Sequence, residues 1–102
     1  MSRNREDLHE ILVDILGSRQ VYFQPPESLK LKYPCIVYER SYIYTDKADN
    51  QIYLKHRRYT VTYIDKDPDS EIPEKLLELQ HCRFDRHFIN DNLNHDVFDL
   101  YY

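Results

Sequence analysis

Ile52-Tyr53-Leu54-Lys55-His56-Arg57-Arg58-Tyr59-Thr60-Val61-Thr62-Tyr63-Ile64 is the stretch that decides the fold. It is rich in β-branched and aromatic residues and has no Gly or Pro, so it reads as one strand. At about 3.3 Å per residue it spans roughly 43 Å, longer than a domain of this size is wide. Its partner lies just upstream. Pro34 opens a strand from Cys35 to about Tyr44, and Thr45–Gln51, rich in Asp, Lys and Asn, turns the chain between them. The hairpin is therefore expected to project past the core as an arm.

Further upstream, Leu8, Ile11, Leu12, Ile15 and Leu16 draw one apolar stripe of an α-helix. Asn4 is placed to cap it, Glu6 and Asp7 suit its positive end, and Gly17 can stop it in a left-handed conformation. Gln20–Phe23 reads as a short strand ended by Pro25-Pro26. Downstream, Asp65–Ser70 is a loop, and about Ser70–Gln80 is a short helix with Ile72, Leu76 and Leu79 on one side. Pro73 fits in its first turn. Cys82–Asn90 and His95–Tyr101 are the last two strands.

Pairing Asp91 with Asn94 sets Phe88 against Val97, Arg86 against Asp99 and Phe84 against Tyr101, a register in which apolar meets apolar and charges pair. It leaves both faces of this hairpin half apolar, and a face without helices needs another chain to cover it. The element order is α-β-β-β-α-β-β. This predicts one α+β domain over 1–102, with a mostly antiparallel sheet of four to five strands flanked by two helices.

Composition narrows the chemistry. The chain has 102 residues, a single Gly and 10 Tyr. One glycine cannot build a GxGxxG turn or a phosphate-cradling loop, so those nucleotide enzymes are excluded. The net charge of −4 argues against general nucleic-acid binding. Cys35 and Cys82 have no metal or redox spacing and read as reduced thiols of a protein made in a cytoplasm. No apolar run is long enough to cross a membrane.

Several residue groups invite a chemical reading. Asp65, Asp67, Asp69 and Glu71 alternate as in a calcium loop, but the sixth position is Ser70 rather than Gly and the twelfth is Leu76 rather than Glu. A helix-capping loop accounts for them better, and a metal-dependent hydrolase built on them is an outside alternative. His81, Cys82, His87, His95 and Cys35 lack ligand spacing. In the register above, His87 and His95 point to opposite faces. Lys55-His56-Arg57-Arg58 is the only basic run. With Tyr53, Tyr59 and Tyr63 it allows a nucleic-acid-binding strand over Lys55–Tyr63, though ion pairing with a neighbouring chain suits the net charge better. The serines lack the flanking glycines of a nucleophile elbow. Neither an enzymatic activity nor a cofactor is expected.

Three further patterns stand out: Tyr33-Pro34-Cys35-Ile36-Val37-Tyr38; Tyr59-Thr60-Val61-Thr62 with Asp65 and Asp67–Ser70 after it; and Phe84-Asp85-Arg86-His87-Phe88 with Asp91–Phe98 after it. Together they resemble the tail terminator proteins of long-tailed bacteriophages, also called tail-completion or tail-to-head joining proteins. The resemblance covers nearly the whole chain as a pattern of elements. It implies a small α+β subunit of a hexameric ring, located in the virion neck at the top of the tail. Such a ring sits on the last ring of the major tail tube protein, ends tube growth and receives the head connector or head-closure protein. Phage DNA passes through its lumen without specific binding. A head-closure component is the related alternative, and the helix-first order favours the terminator. Tyr42, Tyr44, Asp46, Asp49, Asn50 and Tyr53 are the arm residues expected to meet partners. Arg57 and Arg58 are candidates for ion pairs between subunits. Cross-strand packing within the hairpin is an equal reading for the tyrosines.

Overall fold

The computed structural model describes residues 4–48 and 51–102, with the backbone alone for 44–48 and 51–56. Helix α1 (Arg5–Leu16) is followed by β1 (Val21–Phe23), β2 (Cys35–Ala48), β3 (Gln51–Asp65), α2 (Ile72–Leu77), β4 (Cys82–Asn90) and β5 (Leu93–Tyr101). The five strands form one sheet in the order β1-β2-β3-β5-β4. β1 runs parallel to β2, and every other pair is antiparallel. The expected element order and fold class hold.

Local chemistry sets the ends of α1. The Asp7 N–H donates to Asn4 Oδ1 at 2.9 Å, which satisfies one of the free donors of the first turn. Gly17 closes the helix at φ +80°, its N–H donating to the Val13 carbonyl at 2.8 Å. The apolar stripe then lies on the sheet. Leu8 and Leu12 are fully buried and cluster with Ile36, Tyr38, Tyr59, Val61, Tyr63, Phe98 and Leu100. These sheet residues share one face through the pairs Ile36–Tyr63, Tyr38–Val61, Tyr59–Leu100 and Val61–Phe98.

Tyr38 pins α1 to β2. Its ring is fully buried, and its hydroxyl meets His9 Nδ1 at 2.8 Å and accepts from Arg5 at 3.3 Å. Burial raises the pKa of this phenol, and the Arg5 contact offsets part of the rise. The Arg5 guanidinium also lies 4.3 Å from the Phe23 ring centroid, a cation–π contact that ties in β1.

Tyr63 does the same for the segment leading to α2. It donates to Asp65 Oδ2 at 2.5 Å and meets Ser70 Oγ at 2.9 Å. α2 is shorter than the expected Ser70–Gln80. After Leu77 the chain tightens into turns, with the Leu79 N–H donating to the Leu76 carbonyl at 3.1 Å. Leu79 still packs on the core.

The last hairpin corrects the expected register. Asp91 and Asn92 take φ of 53° and 63°, a two-residue turn that pairs Asn90 with Leu93. Phe88 therefore faces His95, stacked at 4.5 Å, instead of Val97. A bulge at Asp85 then shifts the rest of β4. Arg86 faces Val97 rather than Asp99, and Phe84 meets Phe98 edge-on at 5.6 Å rather than Tyr101. Arg86 pairs instead with its neighbour Asp85 at 2.7 Å. His87 and His95 do lie on opposite faces, because they sit opposite Asp96 and Phe88.

The expected arm is present. β5 ends its pairing with β3 at Arg58–Tyr101, and one more backbone exchange follows between Arg57 and Tyr102. β2 and β3 continue past that point as a two-stranded ribbon, paired out to Ala48 and Gln51. That extension is about 20 Å. It contributes to a long axis of 51 Å against 27 and 23 Å for the other two.

Two substitutions test this framework by urea unfolding. Gly17→Ala places a Cβ that meets nothing within 4 Å, so only the left-handed backbone is strained, and a loss of about 1 kcal/mol is expected. Leu12→Ala is expected to cost about 2–5 kcal/mol through lost burial and a cavity. A neutral result at either position contradicts the helix seating described here.

Candidate functional site

Of the residues singled out from sequence, Tyr42, Tyr44, Asp46, Tyr53, Arg57 and Arg58 lie on the two strands of the ribbon. A second bulge marks its root, where the register slips between Arg40 and Tyr42 and leaves Ser41 as the extra residue. Ser41 is hooked to the opposite strand. Its Oγ donates to the Arg58 carbonyl at 3.1 Å and accepts from Arg58 Nε at 3.0 Å. The Arg58 guanidinium lies 5.8 Å from the ring centroid of Tyr42, its cross-strand partner. Tyr42 is 52% exposed. Sequence reasoning missed Ser41, because a lone serine in an aromatic strand gives no sign of a bulge.

Arg57 and Arg58 project to opposite faces, as expected of neighbours in a strand. Arg58 shares the helix-free face with Tyr42. Arg57 shares the other face with Ile43, its partner across the ribbon, and both are exposed. Ile43 also escaped the sequence reading, since it looks like an ordinary strand residue. Tyr44, Asp46 and Tyr53 lie on strand backbone, with side chains outside the described residues. Asp49 and Asn50 lie outside the described residues altogether.

Of the three rings of the proposed nucleic-acid strand, two are withdrawn into the core, and the side chain of Tyr53 lies outside the described residues. Tyr59 and Tyr63 are each only 2% exposed, and their faces belong to the core beneath the helices. They offer no ring to a base.

The acidic loop is a series of side-chain turns, of which the Ser70 one reaches α2, while the N-cap residue Glu71 makes no side-chain cap bond. Asp65 Oδ1 accepts from the Asp67 N–H at 3.2 Å, Asp67 Oδ1 accepts from the Asp69 N–H at 2.9 Å, and Ser70 Oγ accepts from the Ile72 N–H at 3.2 Å. The buried Asn94 amide donates to the Asp65 and Lys66 carbonyls, both at 3.3 Å, and its oxygen meets His87 Nε2 at 3.2 Å. Among the described residues, no three His, Cys, Asp or Glu side chains converge as a metal site. Cys35 and Cys82 are separated by β3 and β5, so three strand spacings, about 14 Å, lie between their strands.

Charge is unevenly divided. Positions 5–16 carry Arg5 against Glu6, Asp7, Glu10 and Asp14, a balance of 1 − 4 = −3. Positions 65–78 carry Lys66 and Lys75 against Asp65, Asp67, Asp69, Glu71, Glu74 and Glu78, or 2 − 6 = −4. The two helical segments thus hold more negative charge than the whole chain, while 51–64 carries Lys55, Arg57 and Arg58 and no acid. Across the whole ribbon segment, 42–58, Lys47, Lys55, Arg57 and Arg58 stand against Asp46 and Asp49, 4 − 2 = +2, so it is weakly basic and the helical segments are acidic. No helix among the described residues is long and apolar enough to cross a membrane.

No protein-family model matches the chain, and neither a curated protein nor a solved structure matches it at a significant level.

Burial raises the pKa of both thiols from 9.0 to about 11, with the Asp65 charge adding to the rise at Cys35 and Asp99 at Cys82. An unfolded thiol ionises near 9, while the folded one resists until about 11. The protonated folded form is therefore favoured below pH 9, and that contribution is lost as pH rises from 9 towards 11. Urea unfolding across this range should show falling stability, with a smaller slope in Cys35→Ala than in the parent chain. An unchanged slope in that variant would remove Cys35 as a source.

Proposed function

We propose that this protein is a structural part of a bacteriophage neck, a tail terminator that works as a ring of six copies at the head-proximal end of the tail tube. The observation that carries this reading is the ribbon. Two strands leave the sheet and run about 20 Å past the last point where the body pairs with them. A monomer gains little from such an extension, since it orders backbone with no core beneath it. A subunit that must grip a neighbour or the tube gains contact area and register from it.

The mechanism is geometric. One surface of each copy meets a different surface of the next, and such head-to-tail contacts close into a ring when the rotation returns to its start. The division between a weakly basic ribbon and acidic helical segments suits a contact of that kind. The ring caps the major tail tube protein and receives the head connector or head-closure protein. An acidic lumen lets DNA slide through without binding it. The chain contributes shape and turns over no substrate.

Deleting Asp46–Asn50 shortens the ribbon tip without touching the core. The purified variant should unfold at the same urea midpoint as the parent, while infected cells give tails of uncontrolled length or tails without heads. Normal virions from this deletion would overturn the role of the ribbon, and imaging of a complete neck that lacks this chain would overturn the reading itself.

A further inference from the structure

One surface of the body is shaped to receive something. A cleft of about 260 Å³ opens between α1, the turn after α2 and the end of β5. Leu8, Ile11, Leu79, Leu100 and Tyr102 line it, with Gln80 at its edge. Asp7 and Asp14 stand on α1 one turn before and one turn after Ile11, which puts both beside the apolar trough. Both are exposed, and neither makes an ion pair among the described residues. Helical spacing thus sets two carboxylates next to Ile11, just outside the lining of an apolar slot.

The complementary shape is on the ribbon. Ile43 and Arg57 face each other across it and project to the same side. Ile43 is 41% exposed, and Arg57 is exposed with no ion pair among the described residues. One aliphatic group beside one permanent cation matches a slot with two carboxylates beside it. Within one chain Arg57 adjoins the cleft only through its backbone bonds to Tyr102, at 2.9 and 3.5 Å, and its side chain and that of Ile43 stay exposed.

We infer that the Ile43–Arg57 face of the ribbon docks in the α1–α2 cleft of a second copy of this chain, with Ile43 in the apolar slot and Arg57 against Asp7 and Asp14. The inference rests on the ring reading and specifies its subunit contact. A nucleic acid is a poor occupant of a slot flanked by two carboxylates, and an apolar peptide alone leaves Arg57 unmatched.

Charge reversal tests it. Arg57→Glu should weaken self-association, followed by sedimentation up to millimolar chain, by at least about tenfold, because like charges then meet. The double variant Asp7→Lys, Asp14→Lys should do the same. Mixing these two variants should restore assemblies, since each supplies the surface that the other lacks, and the triple variant carrying all three changes should assemble alone. Circular dichroism melts of each variant identify any that fail to fold. Ile43→Ser, which leaves the charges in place, should also weaken association and gain nothing from mixing. Assembly indifferent to all of these changes overturns the docking surface and leaves the ring reading standing. So does an Arg57→Glu chain that assembles normally but fails to bind tail tubes, which would place the ribbon's seat on the tube. A parent chain that stays monomeric at millimolar concentration overturns the docking. The ring reading is judged separately, by whether the neck of the virion contains this chain.

Discussion

Strand β3 is longer than the sheet that can hold it. From Arg58 to Ile64 it is paired on both sides, by β2 and by β5. Beyond Arg57 only β2 remains. This mismatch divides the molecule into a body with a core and a ribbon without one. In the body, side chains alternate between the helix layer and the open face, and the buried set Tyr59, Val61 and Tyr63 receives both helices. At the root of the ribbon Ile43 and Arg57 are exposed.

Features set by short-range chemistry were legible in the sequence. Asn4 caps α1 and Gly17 ends it because both act on backbone groups within one turn. The alternating acids before α2 were expected to cap the helix; Asp65 and Asp67 instead close turns inside the loop, and it is Ser70 that reaches the first N–H of α2. The arm was legible from strand length alone, since an uninterrupted run that exceeds the width of a domain has to leave it. The last hairpin was misread because its register depends on a two-residue turn and on an extra residue at Asp85. A bulge does not alter composition, and it moves Phe84 onto the side of Phe98. The parallel pairing of β1 also depends on a long-range choice of edge that local patterning does not encode.

The candidate site divides along the same line. Tyr42, Arg57 and Arg58 are found at the ribbon root, where strand length put them. The Ser41 hook, the exposure of Ile43 and the cleft under α1 come from tertiary placement. The basic run looked like a possible groove for nucleic acid because Tyr59 and Tyr63 interleave with it. The structure turns those two rings inward, beneath the helices.

The Ser41 bulge has a mechanical side. It sits at the pivot of an unsupported two-stranded rod, hooked to Arg58 through two hydrogen bonds. Bulges sharpen local twist and bend a strand, so this position sets the angle at which the rod leaves the body, and a second slip between Asp46 and Lys47 bends it again further out. Over about 20 Å, a change of about 10° at the pivot carries the far end through about 3 Å, close to one residue step along a strand. Two hydrogen bonds at the fulcrum thus hold the angle of departure.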